Sequence, residues 1–325
     1  PAPERPGGAD FGHIEISHQR ELKTEILRES LSRFGGVDTD LTDQVGVEAV
    51  PGDLDGLHWR TRVNLHVDAT GRAGPYAEGS NRVIPVQSLP LATVELDALG
   101  AHQMDWSGHQ RIRLVHPSTG EPRVIIDQQA PQSIVEVVEG QEFQLSDQSF
   151  WQVHRFAPRV LHSAVKAALQ RHPWDPSRTH FDLYAGVGLF STALLQSSAG
   201  AGRVLAVESD SQGATDLEFN LREDDRALAI QADVTRFLRE RVSEGGERPG
   251  AVVMDPPRQG AKSEVVSLVA TLRPDLVVYV ACDPVALGRD VGLFSEHGYE
   301  LVSVEGLDLF PQTHHMEAVA VLLPQ

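Results

Sequence analysis

Residues 251–284 read AVVMDPPRQGAKSEVVSLVATLRPDLVVYVACDP, and the fold turns on this stretch. Two apolar runs, Ala251–Asp255 and Leu276–Cys282, flank an amphipathic segment at Ser263–Thr271. Apolar runs without polar alternation are covered on both faces, and the gap between them suits a crossover helix. The unit therefore reads strand, helix, parallel strand. The same grammar continues in both directions. Strands are expected at Thr179–Tyr184, Arg203–Glu208, Leu228–Gln231, Glu300–Gly306 and Met316–Leu323. Helices are expected at Phe156–Gln170, Leu189–Gln196, Ser211–Arg222, Val234–Arg241 and Pro284–His297. This alternation predicts an α/β fold, a doubly wound and mostly parallel sheet over residues 150–325. Ligands of such sheets bind at the carboxyl ends of the strands.

Upstream the pattern changes. Residues 1–10 are rich in Pro and Gly and read as a linker or frayed end. Within 11–36, Ser17–Arg33 reads as a helix stopped by Gly35-Gly36, one that packs on the catalytic part. Residues 37–149 carry short β-like runs at Arg60–Val67, Val83–Val86, Gln110–His116, Arg123–Asp127 and Ser133–Val138, which predicts a smaller, mixed, largely β domain. Arg60 with Arg62, and Arg111 with Arg113, would project in pairs from one strand face, toward solvent or toward phosphates.

The length of 325 residues suits two domains. With 46 acidic against 28 basic residues the formal charge is −18, which argues against a generic polyanion binder but allows one local basic surface. No apolar stretch nears the ~18 residues of a membrane span. The one cysteine, Cys282, excludes an internal disulfide and an iron–sulfur cluster. It points to a reducing compartment, the cytoplasm, and is either packing or a nucleophile. The chain opens on Pro1 rather than Met, so an upstream segment is expected.

The polar residues that carry chemistry fall at the expected strand ends. Gly186 and Gly188, in the run Asp182-Leu-Tyr-Ala-Gly-Val-Gly188, let backbone approach a ligand before a helix begins, or simply make a tight turn. Glu208, about twenty residues on, suits the hydroxyls of a ribose, and Asp233 suits an adenine edge, so a nucleoside cofactor is expected. Asp255-Pro-Pro-Arg258 presents a carboxylate and a guanidinium on a stiff turn. Cys282 ends a strand just before the helix start Asp283-Pro284, where a helix N-terminus favours a thiolate and Arg258 or Arg289 can add positive charge. Glu317 opens the last buried strand, a costly place for a carboxylate unless it is paired or working. His314 and His315 are neighbours in an extended segment and would face opposite ways, so no metal is expected.

These motifs resemble the RNA 5-methyluridine (uracil-C5) methyltransferase family, which uses S-adenosylmethionine on uridines of rRNA and tRNA. The resemblance runs from about Gly12 to Leu323. It is most specific at Asp255–Gly260, at Tyr279–Pro284 with Gly288-Arg-Asp290, and at Phe310–Glu317. Phe150-Trp-Gln-Val-His154 is similar to the family's entry to the catalytic domain. The resemblance implies a class I methyltransferase-like sheet and an RNA partner. It also implies cofactor contacts from Gln152, Tyr184, Glu208, Asp233 and Asp255, with Cys282 as nucleophile and Glu317 as base. Asp255 and Arg258 would shape the uridine pocket, and Phe150 or Trp151 would stack on a flipped-out base. Leu189 stands where the family often has asparagine, and Asp283 replaces the usual asparagine after the cysteine, where it either raises the thiol pKa or caps the next helix. Many relatives carry an RNA-binding β-barrel, which would precede Pro1. Two rival readings remain at this stage. One is an amino-group methyltransferase that uses Asp255-Pro-Pro, and the other is a non-catalytic RNA-binding factor on the same scaffold.

Overall fold

The computed structural model describes residues 6–52, 55–198 and 200–325. Helix α1 (Ile16–Gly35), the single turn α2 (Thr39–Thr42) and strand β1 (Val47–Ala49) come first. A four-stranded antiparallel sheet follows, in the order β3-β2-β4-β5. Its elements are β2 (Arg62–Val67), β3 (Ala73–Gly74), the short helix α3 (Val94–Ala98), β4 (Arg111–Val115) and β5 (Arg123–Ile126). Leu65, Leu96, Ile112 and Leu114 give this sheet a small core of its own. The hairpin β6 (Ser133–Val138) and β7 (Gln141–Ser146) instead packs Phe143 and Leu145 into the core of the C-terminal half.

From there helices and strands alternate, as the apolar runs predicted: α4 (Ala157–Arg171), β8 (Thr179–Leu183), α5 (Leu189–Ser197), β9 (Arg203–Glu208), α6 (Ser211–Leu221), β10 (Ala227–Gln231) and α7 (Val234–Ser243). The series ends with β11 (Ala251–Met254), α8 (Lys262–Leu272), β12 (Leu276–Ala281), α9 (Pro284–Glu296), β13 (Tyr299–Asp308) and β14 (Glu317–Pro324). Among the described residues the main sheet runs β1-β13-β14-β12-β11-β8-β9-β10, with β14 antiparallel to both neighbours and every other pairing parallel. Two hydrophobic layers, one on each face, sandwich it.

Four local expectations change. Val47–Ala49, assigned from sequence to the β-rich region, is the edge strand of the main sheet and pairs with Gly306–Asp308. Val83–Val86 forms only an isolated bridge between Val83 and Tyr76, because Pro85 has no N–H to donate to a ladder. The expected 1–10 end falls partly outside the described residues. The remainder is tied down: Pro6 bridges to Ala77 and the Gly7 amide donates to the Tyr76 carbonyl (2.8 Å). Arg62 is not a solvated strand residue; one of its Nη groups donates to the Ser149 carbonyl (2.7 Å) and it faces Glu136.

Helix α1 lies against α9 with almost no side chains between them. A methyl group at Gly288 would meet the Ser30 carbonyl at 2.3 Å, so only glycine permits this approach. Below the contact, Lys23 Nζ donates to the Asp308 carboxylate (2.5 Å), both side chains being shut off from solvent. Among the described residues no helix is long and apolar enough to cross a membrane.

Candidate active site

The register of two antiparallel strands builds the centre of the site. Ala281 of β12 pairs with Ala318 of β14, so one residue further on Cys282 stands opposite Glu317. Directly facing residues hold their Cβ atoms about 4.5–5.5 Å apart. Cys282 is half-buried, and Glu317 is 5% exposed. Glu317 Oε2 has no hydrogen-bond partner among the described residues. Asp283 is a helix cap, its carboxylate accepting from the Ala286 amide (2.7 Å).

Asp255 leaves β11 beside β8, its amide donating to the Leu183 carbonyl (3.3 Å). The following Pro-Pro turn closes with the Gly260 amide on the Pro257 carbonyl (2.8 Å). Asp290 then clamps the turn: Asp290 Oδ2 accepts from the Ala261 amide and from the Tyr279 hydroxyl, each at 2.6 Å. The Gly288-Arg-Asp290 motif by itself does not reveal this role of Asp290. Its function depends on α9 folding back over the turn, a contact no local pattern contains.

The resting electrostatics oppose ionisation. Burial pushes the Cys282 thiol up to about 12, and the Glu317 and Asp255 carboxyls add to the rise, while Arg258 pulls against it. Glu317 is raised well above the ordinary carboxylate range by burial and then by Asp255, again opposed by Arg258. Asp255 is raised by enclosure and by Asp182. The expected thiolate-favouring helix start is therefore outweighed at rest by desolvation and two carboxyl groups. Arg289 does not supply the positive charge, since its Nε donates to the Val285 carbonyl (3.4 Å) on the exposed side of α9.

Arg258 is held by His315, with Nη2 3.3 Å from Nε2. Burial first, and then Arg258, bring the His315 pKa down to about 4, so near neutrality the ring is uncharged and its Nε2 can accept the guanidinium N–H. The histidine pair does not face opposite ways as an extended segment would require. Phe310–Thr313 is a turn with Gln312 at φ 67°, and the His314 and His315 rings lie 4.0 Å apart.

The second half of the site lies after β8 and β9. Tyr184 at φ 64°, Gly186 at 56° and Gly188 at 102° form the turn into α5. Glu208 spans it: Oε2 accepts from the Gly186 amide (2.9 Å) and Oε1 from the Asp210 amide (2.7 Å). Asp182, fully buried beneath, accepts from Ser191 Oγ (2.5 Å) through Oδ2, while Oδ1 has no partner among the described residues. Burial pushes its pKa up to about 7. Asp233 caps α7 through the Arg236 amide (3.0 Å).

Gln152 lines a cleft of about 220 Å³ with His116, Glu136 and His154. Trp151 packs on Phe143 in the core, whereas Phe150 is 70% exposed and free to stack. Leu189, in the place of the family's asparagine, is a core residue.

Sheet order and the glycine turn define a doubly wound, Rossmann-like α/β domain, with a cysteine and a glutamate facing each other across two antiparallel strands. Residues 226–325 match the profile of the tRNA (Uracil-5-)-methyltransferase family. An uncharacterized RNA methyltransferase of Streptomyces avermitilis is 33% identical over 99% of this chain and 81% of its own length. One of Streptomyces coelicolor is also 33% identical, over 99% of this chain and 77% of its own. The crystal structure of Pyrococcus abyssi tRNA (uracil-54, C5)-methyltransferase with S-adenosyl-L-homocysteine superimposes with a TM-score of 0.71 at 20% identity, covering 99% of this chain and 86% of that one. The chain belongs to the RNA (uracil-C5) methyltransferase family.

Proposed function

We propose that this chain methylates C5 of a uridine in tRNA or rRNA with S-adenosylmethionine, through a transient bond between Cys282 Sγ and C6 of the base. The residues fit that cofactor. The left-handed turn at Tyr184–Gly188 exposes backbone, Glu208 offers carboxylate lone pairs beside it, and Asp182 leaves one buried oxygen unpaired. When bound, S-adenosylmethionine supplies a methyl group and the positive charge of its sulfonium.

C5 of uracil is a weak nucleophile until C6 is attacked. Addition of the Cys282 thiolate to C6 makes an enolate with its charge on C5 and O4. After C5 has gained the methyl group, Glu317 takes the C5 proton, the C5–C6 double bond re-forms and the Cys282 sulfur leaves. Arg258 favours both anions this sequence needs, and His315 holds it in place. Asp255 orients the ring edge. A stacked uridine hides C6, so the base must swing out, at a cost of a few kcal/mol, and Phe150 is the exposed ring available to receive it. The cytoplasm provides the reducing conditions that a working thiol requires.

The observation that carries this reading is the register that sets Cys282 opposite Glu317. Mass mapping of methylated nucleosides in RNA from cells with and without the gene tests it. One 5-methyluridine should vanish with the gene, return with the wild-type chain, and stay absent with Cys282→Ala. Restoration by Cys282→Ala contradicts the reading.

A further inference from the structure

One sizeable cavity lies away from the cysteine. It is a cleft of about 960 Å³ between the N-terminal segment and the small sheet, lined by Gly7, Arg60, Asn64, His66, Tyr76 and Pro90 among others. That is the upper end of the range of preformed ligand pockets, about 300–1,000 Å³.

Two features of the lining suit a nucleotide. The first is Arg60. It is largely enclosed, its Nε donates to the Arg62 carbonyl (3.0 Å), and its guanidinium lies 5.6 Å from the Trp59 ring. No carboxylate lies within ion-pair distance of it among the described residues, and burial alone lowers its pKa. In a chain of net charge −18, an enclosed cation left without a counter-ion is suited to an anion that arrives with a ligand. The second is an aromatic platform. The His66 and Tyr76 rings stack with centroids 3.6 Å apart at 11°, and Tyr76 is 37% exposed. An exposed ring lining the same cleft as a guanidinium and an amide side chain is the chemistry that receives a base and its phosphate.

The position of the cleft ties it to the catalytic edge. The segment 6–12 that walls it grips the turn before Glu317 on its other side. The Phe11 amide donates to the Gln312 carbonyl (2.9 Å), and Asp10 takes a hydrogen bond from His314. A polynucleotide that presents a base at Glu317 therefore has this wall, and the cleft behind it, as its next surface.

We propose that the cleft is a second nucleotide subsite, which takes an unstacked nucleotide of the same RNA chain with its base on Tyr76 and its phosphate on Arg60. The proposal rests on the RNA-modifying reading above and extends it to how the substrate is held. Two unstacked nucleotides gripped at separate points select a folded RNA loop over an arbitrary uridine.

The test uses the full chain with RNA from cells that lack the gene and were grown on 5-fluorouracil. Ultraviolet crosslinking is followed by peptide mapping. The subsite predicts nucleotides attached to Tyr76 or His66 in the same complexes that carry RNA on Cys282. Tyr76→Ala, which keeps the backbone carbonyl that Gly7 uses, should weaken RNA binding about tenfold in a filter assay. If RNA is captured on Cys282 while no crosslink falls within residues 60–92, or if Tyr76→Ala binds within about twofold of wild type, the subsite is refuted and the cysteine chemistry stands. Crosslinks at Tyr76 without capture on Cys282 support the subsite and count against the cysteine.

Discussion

At rest the Cys282 thiol sits near 12, so almost none of it is ionised at neutral pH. The groups that raise it, Glu317 and Asp255, are themselves held toward their neutral forms. Burial and mutual repulsion thus disfavour each anion of the site, and Arg258 opposes that rise at Cys282 and Glu317. Glu317→Gln keeps the shape and removes the proposed base. It is expected to form the RNA adduct and fail to release it, lowering turnover by about 10²–10⁴, read as a denaturation-resistant band that accumulates. Rapid release of methylated RNA by this variant would assign the base elsewhere. Asp182 allows a test of stability. Its folded pKa of about 7 lies above the ordinary 3.8, so between these values the unfolded chain has shed a proton that the folded chain keeps. The contribution is fully present below pH ~4 and is lost as pH rises toward ~7. Asp182→Asn, a neutral copy, should gain on the wild type over that window, by a few kcal/mol at most. Denaturant melts at several pH values measure this, and a pH-independent difference would show that the carboxyl is ionised in the folded state.

The elements that carry the site are joined by contacts far apart in sequence. Asp283→Ala removes the N-cap of α9 and is expected to cost about 1 kcal/mol, seen as a lower denaturation midpoint. Gly288→Ala drives a methyl group into the Ser30 carbonyl and should cost about 1–3 kcal/mol or more, with faster amide exchange along α1. Unchanged exchange would mean that α1 does not lean on α9. These elements also show what is readable from sequence. The strands from β8 to β14 are legible because apolar stretches, unbroken in β11 and β12, alternate with amphipathic helices up to β13, and Cys282 and Glu317 are legible because each is a polar residue closing or opening such a stretch. Strand β1 is not. It has three residues, two of them exposed, and its place is set by pairing with Gly306–Asp308. Pro85 interrupts the β-like pattern of Val83–Val86, since it has no N–H for a ladder, and only an isolated bridge at Val83 forms. Lys23–Asp308 and the Asp290 clamp lie beyond any local pattern, since their partners are brought together only by the fold.

For the whole molecule, the N-terminal part is structural for the catalytic part. Strand β1 covers the edge of β13, and Lys23 neutralises Asp308, which is 0% exposed. Residues 150–325 expressed alone would bare the β13 edge and deprive Asp308 of both cations that pair with it, Lys23 and Arg20. Loss of one partner of such a pair costs about 3–5 kcal/mol. The fragment is expected to aggregate or melt well below the full chain, and Lys23→Met in the full chain, where Arg20 still pairs with Asp308 (3.1 Å), to reproduce part of that loss by calorimetry. A fragment as stable as the whole would make the N-terminal part a mere attachment. RNA binding should also weaken as salt rises, through counterion release at the phosphates that the chain contacts, with a slope blunted by screening of the repulsion from a net charge of −18.

The central claim is that the Cys282 sulfur bonds to C6 of the uridine it modifies. Fluorine at C5 leaves no proton for Glu317 to take, so incubation of 5-fluorouridine RNA with S-adenosylmethionine and the full chain should stop at the covalent stage. Peptide mass mapping should then find a methylated fluorouridine nucleotide on Cys282. Methylation of natural RNA by a chain that forms no such bond, or by Cys282→Ala, would contradict the account.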